Sequence, residues 1–352
     1  RFDCMETKEV VRFWVDGRLR TEQSLAKNVQ GPLITRIKIM ANLDITEHRV
    51  PQDGRIRVNL EHRQMDLRIS TLPTIYGEKV VIRLLDLSMT QNDIHQIGFR
   101  EENLNKFKKL IHQPYGIVLI TGPTGSGKSS TMYAALSKLN DEEVNIITIE
   151  DPVEYQLEGI NQIQVNPNVG LNFATGLRSI LRQDPNIIMV GEIRDRETVE
   201  MAVRASITGH LVFSTLHTND SIGTIGRLKD MGIEVFLIAT SLNGVVSQRL
   251  VRKICRDCKR EREASAREKE IFDKYSEGCP TCNMTGYRGR TAIHEVLVMD
   301  DEIKDALINN ESTVTIRKIA LKNGLNLLVE DGLQKVKEGM TTTEEVLQVA
   351  LE

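Results

Sequence analysis

The sequence predicts an α/β fold: a parallel sheet covered by helices, preceded by a smaller α/β domain. Three observations carry this expectation. From residue 114 to about 250, short apolar runs at 117–120, 146–149, 187–190 and 211–214 alternate with helical patterns, as βα units do. Ahead of them, residues 1 to about 86 hold alternating apolar stretches at 10–15, 55–60 and 80–85, the pattern of half-buried strands. The chain of 352 residues is longer than one compact core usually serves.

Taken in order, Val15-Asp16-Gly17-Arg18 carries an Asp-Gly hairpin turn. Gly31-Pro32 opens a helix whose apolar face is Leu33, Ile34, Ile37, Ile39 and Met40. Residues 87–100 are polar and weakly patterned, and read as a linker. Residues 101–112 read as a helix leading into the apolar strand at 117–120. Residues 250–290 hold four cysteines and little apolar material. Residues 300–352 read as helical, with breaks at Gly324, Gly332 and Gly339. The expected organisation is therefore an N-terminal α/β domain at 1–86, a linker at 87–100, a nucleotide-type core at 101–250, a cysteine module at 251–290 and a C-terminal helical region at 291–352.

Composition narrows the class. Hydrophobic content of 40% and charged content of 27% are those of an ordinary globular chain. A net charge of −3 argues against broad nucleic-acid binding, which needs phosphate neutralisation. Aromatic content of 4% leaves few platforms for stacking bases. No apolar run approaches the ~18 residues of a membrane helix, and no signal peptide is visible. The chain opens at Arg1 rather than at a methionine, which reads as a fragment lacking upstream sequence.

The most specific local signal is Gly122-Pro123-Thr124-Gly125-Ser126-Gly127-Lys128-Ser129, followed by Ser130. It fits the phosphate-binding P-loop pattern and lies between a predicted strand and a predicted helix. Glycines let backbone N–H groups turn toward phosphate oxygens, and the helix N-terminus adds partial positive charge. Lys128 is suited to the β- and γ-phosphates and Ser129 to Mg²⁺. Phosphoryl transfer also needs an acid at a strand end. Asn186-Ile-Ile-Met-Val-Gly-Glu192-Ile-Arg-Asp195 supplies Glu192, to orient water or hold Mg²⁺ through a water. A second acidic cluster, Ile149-Glu-Asp-Pro-Val-Glu154, offers Glu154. Both follow apolar strands, where open α/β sheets place their ligand crevice. Asp195 has an equally good reading as the cap of the next helix. His210 and His217 bracket the strand at 211–216; spacing alone makes them structural, although a polar strand end near a phosphate site also allows sensing or water positioning. Of the five cysteines, four form two Cys-x-x-Cys pairs, Cys255/Cys258 and Cys279/Cys282, better read as metal ligands than as disulfides in an ATP-using chain. Cys4 stands alone as a small apolar residue.

Together these blocks resemble the secretion-traffic ATPases of type II secretion and type IV pilus assembly, the GspE/PilB group. The resemblance covers nearly the whole chain. It rests on the Walker A loop at 122–129, the aspartate box ending at Glu154, the Walker B block Gly191-Glu192-Ile-Arg-Asp195, and the histidine box Thr208-Gly-His-Leu-Val-Phe-Ser-Thr-Leu-His-Thr-Asn219. It implies a RecA-like P-loop core and a PAS-like N-terminal domain, with Val50-Pro-Gln-Asp-Gly-Arg55 and Asp66-Leu-Arg-Ile-Ser-Thr-Leu-Pro73 matching the family's second N-terminal domain. In the family, arginines of that domain reach the nucleotide phosphates; the matching positions are Arg68 and Arg83. From spacing alone both would be sheet-face arginines paired with carboxylates. Arg194 and His217 take nucleotide-binding roles by the same resemblance, and Arg178 and Arg182 take phosphate contact or subunit coupling.

The four cysteines suit a tetrahedral Zn²⁺ with no position left open, a module that assembly-type members share and retraction-type members generally lack. The implied protein is an ATPase using ATP, Mg²⁺ and Zn²⁺. It would form a homo-hexamer in the cytoplasm, peripheral to the bacterial inner membrane, and act on an inner-membrane platform protein with no direct nucleic-acid contact. It would drive type IV pilus assembly or type II secretion pseudopilus assembly. Alternatives are a pilus-retraction or DNA-uptake motor, a nucleic-acid translocase, and a nucleotide-gated scaffold that hardly turns over.

Overall fold

The structure is a computed structural model that describes residues 1–60, 63–86, 93–261, 274–276 and 278–350. The chain divides into two compact units, Arg1–Thr90 and Gln91–Glu352.

The first unit is a six-stranded antiparallel sheet with one helix. Its strands are β1 (Phe2–Cys4), β2 (Lys8–Val15), β3 (Arg18–Ala26), β4 (Gln52–Leu60), β5 (Arg63–Thr74) and β6 (Gly77–Asp86), in the order β3-β2-β1-β6-β5-β4. The β2–β3 turn places Asp16 at φ 48° and Gly17 at φ 83°, the left-handed pair that an Asp-Gly hairpin needs. Helix α1 (Gln30–Met40) buries Ile34, Ile37 and the adjacent Ala41 against Ile69 and Val80, backed by Ile56, Leu67 and Ile82. A buried ion pair, Lys38–Glu78 at 2.6 Å, ties α1 to β6. The period-2 alternation of β4–β6 follows from a sheet with one covered face.

In the second unit a seven-stranded sheet has the order β15-β12-β7-β11-β10-β8-β9. After α2 (Glu101–Ile111) come β7 (Gly116–Thr121), α3 (Lys128–Leu139), β8 (Ile146–Glu150), β9 (Asn161–Gln164), α4 (Phe173–Ile180), β10 (Ile187–Val190), α5 (Arg196–Ile207) and β11 (Leu211–Leu216). Helices α6 (Ser221–Asp230) and α7 (Val235–Ser241) lead into the long strand β12 (Leu242–Ile254). β13 (Lys259–Glu261) and β14 (Lys274–Ser276) form a small hairpin, and β15 (Tyr287–Val298) returns antiparallel to β12. The chain ends in α8 (Asp301–Ile308), α9 (Thr313–Lys322), α10 (Leu328–Lys337) and α11 (Thr343–Ala350).

Both faces of this sheet are covered. In β7, Ile117 and Leu119 enter one core with α4–α9, while Val118 and Ile120 enter the other with α2 and α3. That is why its strands read as continuous apolar runs. β7 lies between β11 and β12, and the connection from its end crosses to β8, so the sheet changes winding direction there. Ligand crevices form at such switch points.

The structure departs from the sequence expectation in three places. Residues 287–298 form a strand, not part of a helical region beginning at 291. Its centre carries His294 and Glu295, both buried, and those polar residues broke the apolar run that would have marked it. β12 runs through residue 250, so no break separates core from cysteine module there. Gly332 lies inside α10 rather than ending it, where Val346 packs against it too closely for a Cβ. The expected linker falls partly on residues 87–92, outside the described residues. Its remainder packs into the second unit through buried Ile94 and Ile97. The centre of the expected cysteine module, residues 262–273 and 277, also lies outside the described residues.

Candidate nucleotide site and cysteine centre

The loop after β7 is shaped by three glycines with positive φ, Gly122 at 145°, Gly125 at 81° and Gly127 at 88°. The first and last also sit where no side chain fits. A Cβ on Gly122 would lie 2.4 Å from the Gln248 carbonyl oxygen, and one on Gly127 would lie 2.8 Å from Gln248 Nε2. Gly127 is the N-cap of α3 and supplies no side-chain cap, so the first N–H groups of that helix stay available to an anion. Pro123, Thr124, Gly125, Ser129 and Ser130 are exposed along the loop, whereas Ser126 is buried with its Oγ lacking a partner among the described residues.

Lys128 Nζ folds back to donate to the carbonyls of Gly122 (2.7 Å) and Pro123 (3.0 Å). Burial pushes its ammonium down to about 8; Glu192 opposes that shift and Arg249 adds to it. A phosphate would add to the counter-charge that Glu192 gives this half-desolvated cation.

Glu192 stands just past β10 and is largely buried. Arg194 Nε donates to its Oε2 at 2.8 Å, and His217 Nε2 lies 3.2 Å from its Oε1. Arg194 also approaches Asp151, at 3.9 Å. Thus Lys128, Glu192, Arg194 and His217, which come from three separate stretches of chain, share one strand-end crevice. The two histidines part company. His217 faces Glu192, while His210, at the opposite end of β11, contacts the Ala205 carbonyl (2.9 Å) and the Thr208 hydroxyl (3.2 Å) and is structural. Asp195 caps α5, accepting from Thr198 N at 2.8 Å, so the capping alternative holds for that residue.

Glu154 is half-buried, and its backbone N–H donates to Tyr133 Oη at 3.2 Å. The same hydroxyl donates to Glu150, which also accepts from Thr148 Oγ1 (2.6 Å) and Gln162 Nε2 (3.1 Å). Burial holds the Glu150 carboxyl above its ordinary range, against these hydrogen bonds. Tyr133 is raised by the same burial and by the charge of Glu150. A buried Tyr133–Glu150 pair therefore fixes the turn that presents Glu154. Sequence reasoning missed it because Tyr133 lies on α3, far from the aspartate box in the chain.

Gln248 and Arg249 were missed as well. Gln248 Nε2 donates to the Ser126 carbonyl (2.8 Å) and its Oε1 accepts from Thr131 Oγ1 (2.7 Å), bracing the loop from β12. At the end of an apolar run they carry no local signal; only the sheet order places them beneath the loop.

Arg178 pairs with Glu197 at 2.9 Å and Arg182 donates to the Arg178 carbonyl at 3.0 Å, both on the surface. In the first unit, Arg55, Arg68 and Arg83 are direct cross-strand partners on β4, β5 and β6. They form a row of like charge on the face opposite α1.

The cysteines converge. Cys255 Sγ lies 3.8 Å from Cys279 Sγ, Cys258 Sγ lies 3.8 Å from Cys282 Sγ, and Cys279 and Cys282 are 3.7 Å apart. A tetrahedron with metal–sulfur arms of ~2.3 Å has edges of about 3.8 Å, so the set fits Zn²⁺. Backbone N–H groups of Cys279 (3.2 Å) and Gly286 (3.3 Å) donate to Cys282 Sγ. Although burial opposes it, these bonds pull that thiol down to about 6, toward the thiolate a metal requires. With four thiolates the shell is closed to catalysis.

A doubly covered, mostly parallel sheet, a P-loop at its switch point and an acid at the neighbouring strand end define a P-loop ATPase. The chain belongs to the type II/IV secretion system protein family, whose model matches residues 2–348. It is 50% identical over 351 residues to the type II secretion system ATPase E of Vibrio cholerae, covering 97% of this chain and 70% of that protein. The type II secretion system protein HxcR of Pseudomonas aeruginosa is 50% identical over 344 residues, covering 98% of this chain and 72% of that one. Among solved structures, the pilus retraction motor PilT with bound ADP matches at TM-score 0.67 and 26% identity, over 99% of this chain and 91% of that one. The ATPase DotB of Legionella pneumophila shares the fold at TM-score 0.71 and 21% identity, over 98% and 92%. The chain is an ATPase of the secretion-system class.

Proposed function

We propose that this ATPase is the motor of a type II secretion system. In this reading it works as a ring of six identical subunits in the cytoplasm, peripheral to the inner membrane, and acts on an inner-membrane platform protein. The observation that carries the reading is the identity of about one residue in two with proteins named for type II secretion, sustained over 97% or more of this chain. A pilus motor is the second reading, supported by the likeness to a pilus retraction motor at 26% identity.

In this reading Lys128 and the loop N–H groups hold the phosphates, and Ser129 ligates Mg²⁺. Bound Mg²⁺ would neutralise charge developing on the β- and γ-phosphates. Glu192, held by Arg194 and His217, orients the attacking water, and Glu154 assists from the turn braced by Tyr133. Arg68 and Arg83 stabilise the γ-phosphate. Their support is the match to the phosphate-reaching arginines of the family's second N-terminal domain. Cys255, Cys258, Cys279 and Cys282 hold a structural Zn²⁺.

Sedimentation with a non-hydrolysable ATP analogue tests the ring, with six subunits expected. Co-purification with platform proteins of both machines from one host tests the assignment. Capture by the secretion platform alone is expected; capture only by the pilus platform would replace this reading with the second. ATP turnover unchanged by added DNA is expected, and stimulation would favour a translocase.

A further inference from the structure

At the root of the phosphate loop the ends of β7 and β11 are level with the middle of β12. Leu216 of β11 is in register with Thr121 of β7, and Thr121 with Ser247 of β12. The next residues on the outer strands are therefore close to both sides of the loop's root. Arg249 uses this position. It is 5% exposed and its guanidinium reaches two ways. Nη1 donates to the Gln248 carbonyl at 3.1 Å, the oxygen against which Gly122 packs, and lies 3.1 Å from where a Gly122 Cβ would be. Nη2 donates to the Asn219 carbonyl at 2.8 Å, in the loop that leaves β11.

That second loop begins at His217, which faces Glu192 across 3.2 Å. Its far end is held independently, by Arg317 on Asp220 at 2.5 Å and by Ser221, whose backbone N–H donates to buried Glu295 at 2.9 Å. Between these anchors Arg249 ties the backbone carrying His217 to β12 at Gln248, the residue that braces the phosphate loop through the Ser126 carbonyl. Its charge also acts on Lys128, whose ammonium it helps to push down, so the two cations act together at the loop.

We propose that Arg249 is a positioning residue with two separable effects: its charge strengthens phosphate binding, and its forked geometry fixes the His217 loop relative to the phosphate loop. The proposal rests on the P-loop as the nucleotide site. A lysine in its place would keep the charge but lose the planar fork.

The test uses the full chain in its oligomeric state and compares Arg249→Gln, Arg249→Lys and Lys128→Ala. Three quantities are read: affinity for a non-hydrolysable ATP analogue, kcat, and Tm. Arg249→Gln is expected to bind about tenfold more weakly and to lose turnover, as removal of a charge-assisted contact does. Arg249→Lys is expected to recover affinity to within about threefold while kcat stays at least ~10-fold low, because charge returns without the fork. If kcat of Arg249→Lys recovers together with affinity, the tie is refuted. If both readouts fall in step with Tm, Arg249 is only a scaffold and the proposal fails. Wild-type behaviour in both Arg249 variants would also overturn it. Lys128→Ala separates the two levels: loss of binding there with intact Arg249 variants rejects the tie alone, while wild-type binding by Lys128→Ala rejects the nucleotide site itself.

Discussion

Strand β12 serves two sites that differ in kind. Near its middle, Gln248 braces a phosphate loop that presents exposed Ser129 and the uncapped start of α3. Past its end, Cys255 joins three other thiols in a set that a single ion would fill completely. Among the described residues the first site leaves the buried Ser126 hydroxyl without a partner and holds a lysine whose ammonium burial pushes down to about 8. The second adds two backbone N–H donors to the Cys282 sulfur. An open shell suits a ligand that must enter, react and leave. A closed shell suits one that stays. The contrast teaches which site should control turnover and which should control folding.

The largest expected effect breaks the open site. Lys128→Ala should lower ATP turnover by roughly 10²-fold or more, since a preorganised charge at a developing oxyanion is worth that much. Turnover of the purified variant against wild type checks this, and near wild-type activity would remove the loop from the reaction.

The closed site should respond in the opposite way. Cys258→Ser should purify with well under one zinc per chain and a Tm lower by about 5 °C or more, as loss of a structural metal lowers stability. At 25 °C its turnover per folded chain should stay within about threefold of wild type, because a four-thiolate shell takes no part in the chemistry. Metal analysis and calorimetry read the first two quantities. A normal Tm with lost activity would move the cysteine centre into the mechanism and erase the contrast.

The smallest effect concerns the turn that presents Glu154. Burial raises the Glu150 carboxyl, so its neutral form favours the folded state. That contribution is complete below the unfolded value near 4.5 and is lost as pH rises through the folded one. Glu150→Gln removes the dependence. The Tm of wild type minus that of Glu150→Gln should therefore be more positive at pH 5 than at pH 8. A difference that grows with pH would mean that Glu150 is buried as a carboxylate.

Much of the core was readable from sequence because its physics is local. Apolar runs such as 117–120 are continuous where both faces are buried, and glycines recur where φ must be positive. The cysteines were readable for a related reason: Cys-x-x-Cys pairs already place two ligands within reach of one ion. What escaped was non-local. β15 was hidden because His294 and Glu295 interrupt its apolar run, and their burial follows from tertiary packing. Tyr133, Gln248 and Arg249 were invisible because each acts on chain that is distant in sequence. His217 could be separated from His210 only once β11 had a direction and a neighbour bearing Glu192.

The central claim is that Glu192 drives hydrolysis in a site whose nucleotide binding is held elsewhere, by Lys128 and the loop. The most direct measurement is Glu192→Gln, read for analogue binding and for ATP turnover in one oligomeric preparation. The expected result is affinity within about threefold of wild type with turnover reduced by roughly 10²-fold, an interaction needed mainly in the transition state. Turnover near wild type, or binding lost in proportion to turnover, would contradict the account.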